Sequence, residues 1–230
     1  MNFYQSIRKY YDNIFPLNQK QVEFTKSFFG DKNSRLIEIG CANGKLTNAL
    51  SEYNITGIDL EEEFINDALT NYPNVDFQAL NMLNLNEITD EFDGIICFGN
   101  TLVHLEVAEI EEFIEKAYKQ LKTDGTLLIQ ILNYDYIVNE QLESLPLIDN
   151  DAITFVREYQ YQERIKFNTT LTIKNNNSVI SNVIDLSPIR KAELEKILKT
   201  KGFTEIEFYS SFDKTPYQYE KLPLIISAKN

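Results

Sequence analysis

Over the first 132 residues, short apolar runs alternate with segments whose apolar positions recur every three or four residues. Tyr4, Ile7, Tyr11, Ile14 and Phe15 predict an amphipathic helix over 4–15, ended by Pro16, and a second helix is predicted over 18–29, closed by Gly30. The runs at 36–39, 55–59, 75–80, 92–99 and 126–132 predict five strands. The fourth is nearly all apolar from Ile95, as suits a parallel strand covered on both faces. Helices are predicted between them at 44–53, 61–71 and 107–121, the last with Ile110, Phe113, Ile114, Ala117 and Leu121 on one stripe and closed by Lys122 and Gly125. Strands that alternate with helices in this way predict an α/β fold built on a doubly wound parallel sheet.

The pattern changes at Asn133. From there to Asp185 the chain is rich in β-branched and aromatic residues, and the turn Asn175-Asn176-Asn177-Ser178 divides two of its runs. This block, 134–186, reads as an antiparallel β subdomain inserted beside the carboxyl ends of the main strands, where ligands of open α/β sheets bind. Residues 1–30 read as N-terminal helices and a candidate lid, 31–133 as the α/β core, and 187–230 as a helix (188–201, opened by Pro188 and capped by Gly202) and two strands (204–211, 222–229) that complete the core sheet.

Chemistry concentrates where the first strand ends, at Glu38-Ile39-Gly40-Cys41-Ala42-Asn43-Gly44-Lys45. Gly40 allows a tight backbone turn beside a ligand, and Gly44 can open the next helix without a side chain in the approach. Nineteen positions past Gly40 the second strand ends in Asp59, where a carboxylate can accept hydrogen bonds from ribose hydroxyls. The pair indicates a nucleoside-containing cofactor. A dinucleotide fingerprint laid on Gly40 needs glycine at 42 and a small residue at 45, where Ala42 and Lys45 stand, and no Gly-Lys-Ser/Thr follows for a phosphate loop.

Composition narrows the partners. With 22 Lys+Arg against 35 Asp+Glu, the net charge of −13 repels nucleic acid and anionic membranes, so a small-molecule partner is expected. No apolar run is long enough to span a membrane, and the first residues lack the apolar middle of a secretory signal, so a cytoplasmic enzyme is the expectation. Cys41 and Cys97 are the only cysteines, which makes no disulfide framework and no zinc spacing. Acidic runs such as Glu61 to Glu63 read as solvated helix faces rather than metal sites, and nothing indicates an oligomeric state.

The order of these segments resembles the class I S-adenosylmethionine-dependent methyltransferases. Their first motif, Asp/Glu-x-Gly-x-Gly-x-Gly, is matched at Glu38, Gly40 and Gly44, with Ala42 at the middle glycine. The resemblance implies S-adenosylmethionine as cofactor and a seven-stranded Rossmann-like sheet closed by an antiparallel strand pair. It implies Asp59 on the ribose, Leu60 against the adenine, Asn81 and Met82 at the adenine edge and face, and Phe98, Gly99 and Asn100 along the methionine part. Glu38, Gly40, Cys41 and Gly44 would cradle the amino-acid end, and Tyr11 would touch the cofactor from the lid. Gly99-Asn100-Thr101-Leu102-Val103-His104-Leu105 and Asn133-Tyr134-Asp135 also resemble segments of the glycine and sarcosine N-methyltransferases. That narrower likeness implies N-methylation of a small acceptor oriented by Asn100, Asn133 and Tyr134, with Arg157, Arg164 and Arg190 as candidates for an acceptor carboxylate.

Each of these residues has a plainer role open to it. Tyr4 and Tyr11 suit core packing, which is the preferred reading. His104, the only histidine, could act as a general base, but hydrogen-bonding its loop or capping the next helix is the more economical role. Cys41 and Cys97 suit small buried packing positions. A non-catalytic S-adenosylmethionine-binding regulator and a nicotinamide-dependent oxidoreductase remain as alternatives.

Overall fold

The structure is a computed structural model and describes residues 3–162 and 165–230. The first strand, β1 (Arg35–Ile39), lies in the interior of a seven-stranded sheet, and four of its five residues are buried. It is followed by α4 (Lys45–Ala49), β2 (Asn54–Asp59), α5 (Glu62–Asn71), β3 (Asp76–Ala79), β4 (Phe92–Cys97), α6 (Val107–Gln120) and β5 (Leu121–Leu132). Before β1 come α1 (Phe3–Ile7), α2 (Tyr11–Ile14) and α3 (Gln19–Lys26). After β5 come α7 (Tyr134–Asn139), β6 (Ile148–Asp149), β7 (Ile153–Tyr161), β8 (Ile165–Ile173), β9 (Ser178–Leu186), α8 (Lys191–Lys201), β10 (Thr204–Tyr209) and β11 (Pro223–Lys229).

The sheet order is β10-β11-β5-β4-β1-β2-β3. β3, β2, β1, β4 and β5 run parallel, and β11 and β10 pair antiparallel at one edge. The strand order therefore reverses between β1 and β4, which opens a crevice at their carboxyl ends, the usual ligand site of such sheets. Apolar side chains cover both faces. Ile110, Phe113 and Ile114 of α6 join Leu194 and Leu198 of α8 in one cluster, and Val22 and Phe24 of α3, Leu46 of α4 and Leu50 just past it join Leu36, Ile96 and Leu128 in another.

β6–β9 form a separate four-stranded antiparallel sheet, so the expected doubly wound sheet and its antiparallel insertion are both present. Tyr159, Ile165 and Leu186 of this second sheet pack into the main core, while Ile153, Phe155 and Leu171 close around Ile7 and Ile14 of the N-terminal segment. That segment thus bridges the two sheets above the crevice.

Local structure departs from the sequence reading in three places. The helix expected over 4–15 is broken into α1, a 3₁₀ turn (Arg8–Tyr10) and α2, so that Ile7 and Ile14 both reach the second sheet. The chain after Asn133 begins not with a strand but with α7, whose first turn is capped by the Asn133 side chain accepting from the Tyr136 N–H at 3.4 Å. β5 starts at Leu121, five residues before the expected strand, because Leu121 already pairs with Phe92. No helix among the described residues is long and apolar enough to cross a membrane, and no group of three or more His, Cys, Asp or Glu side chains there could hold a metal ion.

Candidate active site

β1 ends in the sheet interior, so the chain must turn sharply to leave it. Gly40 does this at φ +71°, where a Cβ would stand 2.6 Å from the Thr101 side chain. Ala42 follows at φ +46°, a left-handed conformation that costs an L residue roughly 1–2 kcal/mol. Asp59 holds it there, accepting from the Ala42 N–H at 2.8 Å through one oxygen and from the Glu61 N–H at 2.9 Å through the other. Replacing Ala42 with glycine should relieve this strain at a small entropic cost, raising the midpoint of thermal unfolding by about 2 °C. A lower melting temperature would show that the methyl group contributes packing that outweighs the strain.

Gly44, at φ +78°, differs from the sequence reading. Its missing Cβ would collide with the Phe77 ring at 2.5 Å, so packing behind the loop requires glycine there. It lines neither of the cavities described next.

Two cavities adjoin at the carboxyl ends of β1 and β4. The larger, ≈ 430 Å³, and the smaller, ≈ 220 Å³, share Tyr4, Tyr11, Gly40, Ala42, Gly99 and His104 as walls. Asp59, Leu60, Asn81 and Met82 line the smaller one. Leu60 is 67% exposed there, an apolar side chain at the rim that a flat ring could cover. Glu38, Cys41, Phe98 and Asn100 line the larger one. The Asn81 side chain also caps the 3₁₀ turn at Met82 by accepting from the Leu83 N–H at 2.9 Å.

Glu38 is the electrostatic anomaly of the larger cavity. Thr47 Oγ1 donates to it at 2.5 Å, yet no lysine or arginine pairs with it among the described residues. Burial therefore pushes its carboxyl up to about 8, against the smaller lowering effect of the Thr47 hydrogen bond. A buried carboxylate facing a cavity without a counter-ion is suited to a cationic ligand. Burial also raises Asp59 above the usual carboxylate range, and it raises both cysteine thiols, Cys97 to about 12. Neither thiol is poised as a nucleophile.

His104 is half-buried at the junction of the cavities, and its Nε2 shares a 2.8 Å hydrogen bond with the Tyr4 hydroxyl. Burial lowers its pKa below the usual histidine value, which keeps the ring neutral at pH 7. Tyr4, favoured above as a packing residue, thus joins the polar part of the site. Asn100, at φ +66°, accepts from the Leu132 N–H at 2.9 Å and donates to the Tyr134 hydroxyl at 3.1 Å. Tyr134 is completely buried and lines neither cavity. It reaches the site through Asn100 rather than by touching a ligand. Asn133 is likewise buried and binds the carbonyls of Tyr219 and Lys221.

Gln130 was missed by the sequence reading. It accepts from the Gly99 N–H at 2.8 Å and lines the larger cavity. A lone polar side chain in the apolar run 127–132 was the available signal. The candidate arginines separate clearly. Arg190 binds Asn139 and Asp135 away from both cavities, Arg157 lines the larger cavity, and Arg164 lies outside the described residues.

The sequence of the methyltransferase domain family matches residues 36–125. A glycine/sarcosine N-methyltransferase of Aphanothece halophytica is 29% identical over 134 residues, covering 57% of this chain and 49% of that protein. A glycine/sarcosine/dimethylglycine N-methyltransferase of Actinopolyspora halophila is 26% identical over 157 residues, covering 62% of this chain and 24% of that protein. The aligned part of the chain thus spans less than half the length of these curated relatives. The fold superposes on the crystal structure of an S-adenosylmethionine-dependent methyltransferase from Clostridium acetobutylicum with a TM-score of 0.83, covering 99% of both chains at 17% identity.

Proposed function

From a chain that belongs to the class I S-adenosylmethionine-dependent methyltransferases, we propose an enzyme that methylates the nitrogen of a small amine at the junction of its two cavities. The observation that carries this reading is Glu38: a buried carboxylate with no cationic partner among the described residues, at the mouth of the Gly40 turn, in a cavity that adjoins one bordered by Asp59. This is the arrangement that an elongated ligand with an ammonium at one end and a nucleoside at the other requires. Glu38 would hold the ammonium, Asp59 the ribose hydroxyls, and Leu60, Asn81 and Met82 the base, with Tyr11, Cys41, Phe98 and Gly99 as walls. Bound there, S-adenosylmethionine supplies a methyl group on a cationic sulfur, so that an N–C bond forms as the C–S bond breaks and a neutral thioether departs.

The chain's own work is positioning and proton control. Asn100 is rigid because Leu132 and Tyr134 hold both ends of its amide, and it can offer its remaining N–H to an acceptor. The burial that lowers His104 acts equally on an amine seated beside it, favouring the neutral nucleophile. His104, neutral and at the junction, is the group available to take the proton the nitrogen must lose.

Methyl-labelled S-adenosylmethionine incubated with a pool of primary and secondary amines tests the proposal. Label transferred to an amine supports it. Tight cofactor binding with no transfer above background favours a binding protein, and calorimetric preference for NAD would sink the cofactor assignment.

Tyr4→Phe removes the hydroxyl that orients His104. It is expected to lower kcat by roughly 3- to 10-fold, the range of one net hydrogen bond. Because His104 is the only histidine, its NMR titration is read without assignment. The native signal should titrate below pH 6.5, and an unchanged signal in Tyr4→Phe would remove the link between the two side chains.

A further inference from the structure

We infer that Gln130 is a cofactor-binding residue, whose side-chain NH₂ donates to the carboxylate at the methionine end of S-adenosylmethionine. The inference rests on Glu38 holding the ammonium of that end. In an α-amino acid the carboxylate hangs from the carbon that carries the ammonium. It must therefore lie in the larger cavity, the chamber beside Glu38, and it needs a donor there.

The register of the main sheet puts Gln130 in that place. Glu38 of β1 stands opposite Ile96 of β4, and Ile96 stands opposite Leu128 of β5. Paired residues share a face of the sheet and side chains alternate along a strand, so Gln130, two residues past Leu128, points to the same face as Glu38. Both line the larger cavity. Strands two apart in a sheet lie about 10 Å from one another, which leaves the width of an α-ammonium carboxylate between the two side chains.

Only one orientation of the amide is open. Its Oε1 accepts from the Gly99 N–H at 2.8 Å, and turning the amide over would set donor against donor. The NH₂ is the end left over, and among the described residues Nε2 has no hydrogen-bond partner. The main chain holds the residue as firmly, because the Gln130 carbonyl accepts from the Asn100 N–H at 3.1 Å. One residue of β5 thus binds the N–H groups of two consecutive left-handed residues, Gly99 at φ +76° and Asn100 at φ +66°. A donor fixed in this way loses little freedom when a ligand arrives.

The cations that line the cavity are committed elsewhere. Lys45 is paired with Asp12 at 2.8 Å, and Arg157 stands on β7 of the second sheet and donates to the Pro146 carbonyl at 2.6 Å. A neutral donor suits the task, because the amino-acid end brings its own counter-charge and a hydrogen bond to a carboxylate is stronger than one between neutral groups.

Calorimetry on the intact chain, with no acceptor present, reads the contact without depending on turnover. The three ligands are S-adenosylmethionine, its decarboxylated analogue, which lacks only the carboxylate, and 5′-methylthioadenosine, which lacks the whole amino-acid end. The wild type is expected to bind S-adenosylmethionine about tenfold more tightly than the decarboxylated analogue, as one hydrogen bond to a charged group provides. Gln130→Glu keeps an oxygen for the Gly99 N–H but turns a negative charge toward the carboxylate. Its affinity for S-adenosylmethionine should fall about 30-fold or more, while the decarboxylated analogue binds as well or better, so that the preference reverses. Unchanged 5′-methylthioadenosine binding shows that the variant is folded. Gln130→Met, which has neither polar atom, should erase the preference without reversing it. A residue that merely shaped the Gly99 loop would move both amine-bearing ligands alike. Equal losses for the two in Gln130→Glu, an unchanged affinity for S-adenosylmethionine there, or a wild type without preference would overturn the inference. These three results leave the cofactor pocket and the amine-pool assay standing, whereas a wild type that does not bind 5′-methylthioadenosine would overturn the pocket itself along with the inference.

Discussion

Asp59→Ala is expected to weaken S-adenosylmethionine binding by about 10- to 100-fold and to lower thermal stability at the same time. Two effects act together because the carboxylate has two attachments. Its oxygens accept from the N–H groups of Ala42 and Glu61, and its remaining lone pairs face the smaller cavity. Hydrogen bonds to a charged acceptor are worth about 1.5–3 kcal/mol each, so losing even one to a ribose hydroxyl accounts for the affinity change. Loss of the Ala42 contact also frees a residue held at φ +46°, and the Gly40 turn that it shapes should relax. Asp59→Asn separates these effects. Its oxygen can replace one acceptor, but its NH₂ group then confronts the other backbone N–H. Calorimetry and thermal melts on both variants provide the check. An unchanged dissociation constant in Asp59→Ala would mean that the smaller cavity is not where the nucleoside binds.

The second large effect is a pH dependence centred on Glu38. In the unliganded chain its carboxyl titrates near 8, because burial outweighs the Thr47 hydrogen bond. A cationic ligand end needs the ionised form, so binding below pH 8 must expel a proton. Affinity for S-adenosylmethionine should therefore rise between pH 6 and 8 by up to about tenfold per unit and level off above 8. The sign for stability is opposite. A folded-state pKa raised above the unfolded value of 4.5 means that this group's contribution is fully present below pH 4.5. It is lost progressively as the pH rises through 8, so the unliganded protein should melt earlier at pH 8 than at pH 5 on this account. Asp59, also raised by burial, contributes in the same direction, so the part belonging to Glu38 is the difference between wild type and Glu38→Gln. The variant should bind the cofactor weakly with a flatter pH profile. Calorimetry in buffers of different ionisation enthalpy counts the released proton. Equal affinities at pH 6 and 8 in the wild type, with no proton release, would refute the assignment of Glu38 as the counter-ion.

The elements that the sequence made readable are those whose cause is local. The alternation of apolar runs with helical stripes up to Leu132 produced the parallel order of β1 to β5, because a strand or helix buries its own apolar face wherever its partners come from. Gly40 and Asp59 were legible for the same reason: one marks a turn at a strand end, and the other stands at the end of the neighbouring strand. α7 was misread because Tyr134, Tyr136, Ile137 and Val138 favour strands, and the competing signal was a single capping side chain, Asn133. Gly44 was marked for the approach of a cofactor, whereas what requires glycine there is the Phe77 ring, 33 residues away.

What tertiary structure alone decided is which atoms meet. Tyr4 and His104 are 100 residues apart, and the sequence marked the first as a packing residue and the second as a candidate base or a partner of its own loop, with nothing to join them. Only the path of the N-terminal segment between the two sheets brings their hydroxyl and imidazole to 2.8 Å. Tyr134 and Arg157 exchanged expected prominence in the same way. Tyr134 proved to be sealed behind Asn100, and Arg157, one of three arginines that sequence could not rank, proved to line the chamber. By itself the sequence determined the α/β sheet and the cofactor turn, because hydrophobic pattern and backbone freedom act over a few residues. The folded chain alone decided which polar groups face the chamber and which lack partners, because hydrogen bonds depend on ångström distances between segments that sequence leaves far apart.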